Sequence, residues 1–153
     1  MRNKNTNKSS GFTIIEVLIV LAIAGLIMLI VFLAVPALQR NSHNTQRKSD
    51  VSALIGAVQE YSNVNSGQLP SALSDFDDNA KLGFYDASSE VSYAKSASAV
   101  TSAPGTNSSM VYIRTYAKCN GNAVATSGAT SRNVIAWYYV ETSSGTSPQC
   151  QEM

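Results

Sequence analysis

The feature that most constrains this chain is an uncharged apolar run close to its beginning. Residues 17–38 form 22 consecutive positions without a charged side chain. A helix needs about 20 apolar residues to cross the hydrocarbon core of a bilayer, so the run predicts a membrane-spanning helix. One acid, Glu16, stands directly before it. An ionised carboxylate costs about 2.5–3.5 kcal/mol at mid-bilayer and less near the edge, so this acid needs a physical explanation.

Residues 1–11 are polar and basic and have the composition of a leader. Without them the formal side-chain charge falls from +1 to −2, because Arg2, Lys4 and Lys8 are lost and no acid is. The positive charge therefore belongs to targeting and does not indicate a nucleic-acid surface. The basic residues before and after the apolar run are balanced, so charge alone does not orient it.

Two other kinds of N-terminal segment compete with this interpretation. A cleaved secretory signal has an apolar core of about 7–15 residues before a small-x-small site, and this run is longer and lacks a good site. An uncleaved signal anchor remains an open alternative. For Glu16 itself, the pattern from Thr13 to Glu16 fits a capping box, which explains an acid in a first helical turn without any further function.

Gly11, Phe12, Thr13 and Glu16, followed by the long apolar helix, closely resemble a type IV prepilin. In that family a membrane peptidase cleaves after the glycine and methylates the new amine. The resemblance implies cleavage between Gly11 and Phe12, N-methylation of Phe12, a cytoplasmic leader and an exported remainder. One departure is that the family often has a basic residue directly before the glycine, whereas the nearest here is Lys8.

The resemblance also implies how copies assemble. The amine of Phe12 on an incoming subunit would pair with Glu16 of a resident one, which makes both residues subunit-assembly sites. Gly25 and Pro36 interrupt the apolar run, and proline predicts a kink. In the family, the segment between such a glycine and proline can lose helical structure in the filament, so Gly25 and Pro36 are the expected helix breaks.

Beyond Pro36 the helical period continues in polar sequence. One apolar stripe consists of Val51, Leu54, Ile55, Val58 and Tyr61. The polar face is expected to carry Arg47, Lys48, Asp50, Gln59 and Glu60. Asn65, Ser66 and Gly67 followed by Pro70 form a stop signal, so the helix is predicted over residues 13–64.

The remaining sequence predicts a small sheet. A helical turn is expected near 71–76, a short strand near 91–94, and two longer strands over 110–118 and 134–140. The glycine- and serine-rich connection between the longer strands favours antiparallel pairing. The predicted fold class is α+β: a long N-terminal helix, half transmembrane and half amphipathic, packed on a small antiparallel β-sheet, as in pilins. The predicted boundaries are 1–11, 12–38, 39–66 and 67–153.

Cys119 and Cys150 have neither CxxC spacing nor a histidine cluster beside them. In an exported domain they predict a disulfide, which would pin a C-terminal loop over residues 142–149 to the sheet. Two free thiols are the alternative for a cytosolic chain. Pilins resemble this arrangement, since a disulfide often bounds their variable C-terminal region.

No pattern of catalytic residues supports an enzyme, a cofactor or a metal site. GxSxG, glycine-rich phosphate-loop and HExxH patterns do not occur. His43 is expected to be an exposed helix residue. Asp75, Asp77 and Asp78 lack the spacing of a calcium loop and are interpreted as a solvated turn.

The predicted function is therefore structural: a type IV pilus subunit polymerised into a surface fibre. The expected partners are other pilin copies, the prepilin peptidase, the inner-membrane assembly platform and membrane lipid before assembly, with nucleic acid left open. The precursor is expected in the cytoplasmic membrane and the mature subunit in the extracellular fibre. Adhesion, twitching motility and DNA uptake are not distinguished. A minor pilin, a type II secretion pseudopilin and a membrane-anchored adhesin that does not polymerise remain alternatives.

Overall fold

A computed structural model describes residues 11–95 and 109–153. The chain divides into two compact units, with the boundary between Leu38 and Gln39. One helix, α1, covers Ile14–Val64 and belongs to both units. The predicted leader lies outside the described residues, apart from Gly11.

The helix begins and ends at the predicted signals. Its last turn is closed by two backbone hydrogen bonds, from Asn65 N–H to Tyr61 O at 3.0 Å and from Gly67 N–H to Ser62 O at 2.7 Å. Ser66 and Gly67 both have positive φ, at 56° and 83°. This is the left-handed backbone that commonly terminates helices, so the stop signal acts as expected.

In the described part of the chain, six strands follow α1, after two short 3-10 turns at Leu73–Asp75 and Asp77–Asn79. The strands are β1 Val91–Ala94, β2 Val111–Thr115, β3 Lys118–Asn120, β4 Ala123–Ala125, β5 Val134–Thr142 and β6 Gly145–Glu152. The main sheet has the order β1-β2-β5-β6, and β3 and β4 form a separate hairpin. The predicted strands near 91–94 and 134–140 are thereby confirmed. The strand predicted over 110–118 is shorter, because it ends at Thr115, before the positive φ of 59° at Tyr116, and Lys118 begins the separate hairpin.

The main sheet is mixed, whereas the sequence predicted an antiparallel one. β1 pairs with β2 in parallel, with Val91 opposite Val111, and the other neighbours are antiparallel. A parallel pair requires a crossover of about a dozen residues or more. The connection over residues 95–110 supplies that length. The α+β class with a long N-terminal helix is confirmed.

The predicted loop over residues 142–149 is wrong. This segment is the hairpin between β5 and β6, where Thr142 pairs with Gly145, which has a φ of 141°. The sequence obscured β6 because it contains Pro148 and weak strand formers. Pro148 is tolerated because β6 is the last strand of the sheet, where a missing N–H need not interrupt the ladder.

The core of the second unit lies between the second half of α1 and one face of the sheet. Val51, Leu54 and Val58 are fully buried there. They belong to one cluster with inward-facing residues of the sheet: Val91, Val111, Ile113, Val134, Ala136 and Tyr138. The predicted apolar stripe therefore packs on the sheet, as expected of an amphipathic helix.

Two charged residues that were predicted to be exposed are buried. Arg47 is 5% exposed and Asp50 is 4% exposed. Arg47 donates to Glu141 Oε1 at 2.9 Å and to Tyr139 O at 3.2 Å. Asp50 accepts hydrogen bonds from the backbone N–H groups of residues 83–85 at 2.7–3.0 Å. These hydrogen bonds offset the cost of burying each charge, and Arg47 Nε is left without a partner among the described residues.

Asn44 completes the attachment of α1 to β5. Its side-chain amide donates to Glu141 O at 2.7 Å, and its Oδ1 accepts from Glu141 N–H at 2.7 Å. β2 pairs with β5 only as far as Trp137. The backbone groups of β5 beyond Trp137 on that side therefore need other hydrogen-bond partners. Side chains from α1 supply them, which fixes this helix against the strand.

Candidate functional site

The candidate site is the segment that leads into α1. Gly11 and Phe12 precede the helix and are exposed, with Phe12 exposed by 90%. A peptide bond in exposed backbone outside a helix or strand is accessible to a protease, because no packed structure has to open first. The segment therefore has the accessibility that cleavage between Gly11 and Phe12 requires.

Thr13 and Glu16 form the capping box that the sequence predicted as one explanation of this acid. Glu16 Oε2 accepts from Thr13 N–H at 2.8 Å and from the Thr13 hydroxyl at 2.7 Å. In return, Glu16 N–H donates to Thr13 Oγ1 at 3.4 Å. Both donors use Oε2, and among the described residues no hydrogen bond to Oε1 is formed. One carboxylate oxygen thus caps the helix while the other remains available.

The surface next to this carboxylate is apolar. Phe12 and Glu16 border an open groove together with four aliphatic residues of α1, which are Val17, Ile19, Val20 and Leu21. The groove therefore combines an apolar lining with a single negative group. That combination suits an apolar segment that carries a positive charge.

The apolar half of α1 has no cover from the described protein. Phe32 is 74% exposed, and even Val35 is 40% exposed. By length and composition, α1 is the one helix of the described residues that qualifies as a membrane span, and none of its most apolar window is buried. This surface requires lipid or other protein around it.

Gly25 and Pro36 both lie inside α1, which continues through them. Proline has no N–H and removes one hydrogen bond of the helix. Loss of helix between these residues was predicted for the filament only, and it stays a prediction.

Cys119 and Cys150 form a disulfide with a Cα–Cα distance of 5.7 Å. Cys119 lies in β3 and Cys150 in β6. The bond therefore joins the β3–β4 hairpin to the edge strand of the main sheet, and it does not hold down a loop.

His43 has a contact that sequence reasoning missed. Its Nδ1 lies 3.5 Å from Glu141 Oε1, the same oxygen that Arg47 binds, and its side chain is half exposed. The spacing of residues 43, 47, 50 and 54 would have placed all four on one helix face. This spacing predicts a shared helix face but does not identify the residue on another element that His43 contacts. The contact with Glu141 could therefore not be predicted from the sequence.

The acidic turn near residue 75 is held by its own backbone. Asp75 Oδ2 accepts from the N–H groups of Ser71 at 2.7 Å and Ala72 at 3.0 Å. These bonds stabilise the ionised form and lower the pKa of Asp75. Among the described residues no group of three metal-ligating side chains comes together.

Comparison with known families identifies one match. Residues 6–32 match the family model described as the prokaryotic N-terminal methylation motif. No curated protein and no solved structure is similar enough to this chain to match it. The matched residues include the exposed junction, the capping box and the first part of the uncovered helix. The likeness therefore extends to this N-terminal motif, which covers 27 of the 153 residues.

Proposed function

We propose that this chain is the structural subunit of a type IV pilus. Its precursor is cleaved between Gly11 and Phe12 by the prepilin peptidase and methylated on Phe12. The mature chain then polymerises with other copies through the first half of α1, with the help of an inner-membrane assembly platform. The observation that carries the proposal is that the methylation motif at residues 6–32 coincides with a helix half that no described protein surface covers.

The uncovered half of α1 needs an apolar environment both before and after assembly. Burial of apolar surface contributes about 25 cal/mol per Å². Because the apolar side chains of this helix half are exposed, it would lose this contribution in water. Lipid surrounds it in the precursor, and apolar surfaces of neighbouring copies replace the lipid in the fibre. The described residues up to Leu38 belong to a different unit from the sheet domain, as this change of environment requires.

Glu16 gives the assembly its register. The capping bonds to Thr13 occupy Oε2, so Oε1 is the oxygen that accepts the Phe12 ammonium of the next copy. In an apolar surrounding, two opposite charges attract each other strongly when they are paired. A single buried charge without a partner is costly. A copy that docks out of register would leave both groups unpaired.

The first test is mass spectrometry of the exported protein. The expected N-terminal residue is Phe12 with one added methyl group, and electron microscopy of sheared surface material is expected to show fibres of this chain. An intact leader would instead support a membrane-anchored binding protein. A processed and methylated chain that forms no fibres of its own would support a minor pilin or a secretion pseudopilin.

The second test isolates the pairing. Glu16→Gln keeps the shape and the capping contacts of the side chain but removes its charge. Fibre yield is expected to fall at least about tenfold, because a mispaired ammonium costs more than about 1.4 kcal/mol in an apolar core. Glu60→Gln, an exposed acid on the second half of α1, is the matched control and should assemble normally. Normal fibre yield from Glu16→Gln would exclude the pairing.

A further inference from the structure

The β3–β4 hairpin covers an aromatic cluster on the outer face of the main sheet. Tyr112, Trp137 and Tyr139 form this cluster and are 8%, 3% and 9% exposed. Their rings are in contact, with centroids 6.0 Å apart for Tyr112 and Trp137 and 4.8 Å apart for Trp137 and Tyr139. The face would be a sizeable apolar surface if the hairpin were absent.

The hairpin is small and has few noncovalent attachments to the sheet. Each of its strands has three residues, and a two-stranded hairpin of that size is not stable alone. Val124 packs against the cluster, and Trp137 Nε1–H donates to Asn122 O at the hairpin turn at 2.9 Å. A third attachment, from Cys119 N–H to Glu152 Oε2, is exposed and long at 3.4 Å.

The covalent attachment stands at the base of the hairpin. Cys119 pairs with Val124 within the hairpin, and Cys150 pairs with Trp137 in the main sheet. The Cys119–Cys150 bond therefore joins the covering layer directly to the strand beside the covered indole. Both cysteines are only partly buried, so a thiol in solution can reach them.

We infer that the β3–β4 hairpin is a flap that the Cys119–Cys150 disulfide holds closed over the Trp137 cluster. Reduction by a dithiol breaks the S–S bond: the dithiol gives two electrons and two protons, two cysteine thiols form, and the dithiol becomes a disulfide. The flap then opens while the helix and the main sheet stay folded. The surface of the chain thus depends on its oxidation, and only an oxidised subunit conceals its aromatic face.

The only tryptophan of the chain is Trp137, so its fluorescence reports on the flap directly. The full chain in detergent micelles is treated with dithiothreitol while far-UV circular dichroism is followed. We expect a red-shifted emission and acrylamide quenching that rises at least about threefold, as for a local opening, with unchanged helix and sheet signal. Trypsin is expected to cut after Lys118 in the reduced chain only.

Two variants separate the covalent latch from simple packing. Cys119→Ser/Cys150→Ser should behave as the reduced chain does and should not respond to dithiothreitol. Val124→Ser removes the main apolar contact of the flap but keeps the bond, so in the oxidised state it should stay closed. The inference is overturned by a reduced chain with unchanged quenching and an uncut Lys118, by an open oxidised Val124→Ser, or by loss of the far-UV signal on reduction.

Discussion

The two halves of α1 share one helix but differ completely in what surrounds their apolar side chains. Leu26, in the first half, is 58% exposed, whereas Leu54, in the second half, is fully buried. In the first half apolar residues occur on every side, and in the second they form one stripe. Both halves are apolar enough to require burial, but the pattern of apolar residues decides where it occurs. The second half packs its single stripe on the chain's own sheet, whereas no described surface of the chain covers the first half.

The largest expected effect comes from one substitution made in both halves. Leu54→Ala should lower the free energy of unfolding of the second unit by about 2–5 kcal/mol, because it leaves a cavity in the core. Leu26→Ala should leave that value unchanged, since no core surrounds it. Chemical denaturation of the full chain in micelles, followed by Trp137 fluorescence, measures both. Equal effects would contradict the contrast between the halves.

The charged residues of the packed half provide the next test. Asp50→Ala should cost about 3 kcal/mol, because it removes the acceptor of the N–H groups of residues 83–85, of which Tyr85 is buried. Glu60→Ala, an exposed acid on the same helix, should change stability by less than about 0.5 kcal/mol. Thermal unfolding of the two variants gives the comparison. A cost for Asp50→Ala as small as for Glu60→Ala would mean that these backbone bonds are replaced by water.

At the head of the uncovered half, the capping box predicts a smaller and local effect. Thr13→Ala should destabilise the first turn of α1 by about 1 kcal/mol, and Thr13→Ser should retain most of the cap. Hydrogen exchange of the amides in the first turn detects the change. Unfolding of the second unit should be the same in both variants, and a shift there would show that the halves are not independent.

The smallest effect is a dependence on alkaline pH that only the packed unit should show. Burial raises the pKa of Tyr85 to about 12, so the folded state favours the neutral phenol. Its contribution to stability is complete below pH 10, the ordinary pKa, and is lost as the pH rises from 10 to 12. Tyr85→Phe should reduce this loss in denaturation curves measured from pH 9 to 12.

The same variant has a second expected outcome at neutral pH. The Tyr85 hydroxyl is buried and has no hydrogen-bond partner among the described residues. Removal of such a group is neutral or stabilising, because no desolvated donor remains. A clear loss of stability in Tyr85→Phe at pH 7 would indicate a water or another partner on this hydroxyl.

Sequence reasoning located the elements with a strong period and missed those without one. α1, β1, β2 and β5 have apolar repeats of 3.6 or 2 residues or strong strand formers, and they were found. The strands β3 and β4 are too short to show a period. β6 contains Pro148 and was mistaken for a loop, because its pairing with β5 rather than its own propensity makes it a strand.

The candidate site at residues 11–16 could be predicted from the sequence because its hydrogen bonds join residues close together in the chain. A capping box joins residues three positions apart, so its pattern can be recognised in the sequence alone. The attachments of Arg47 to Glu141 and of Asp50 to residues 83–85 span long stretches of chain. No spacing rule connects such positions, so their burial could not be predicted.

By itself, the sequence determined the membrane-length helix, its capped head, its stop and the α+β class, because these depend on local hydrogen bonds and on the period of apolar residues. Only the tertiary structure decided that β1 runs parallel, that two charges of α1 are buried, and that the disulfide closes a hairpin over Trp137. These features result from pairings between distant residues. Their free energy depends on which groups meet after folding, and that is a property of the assembled unit.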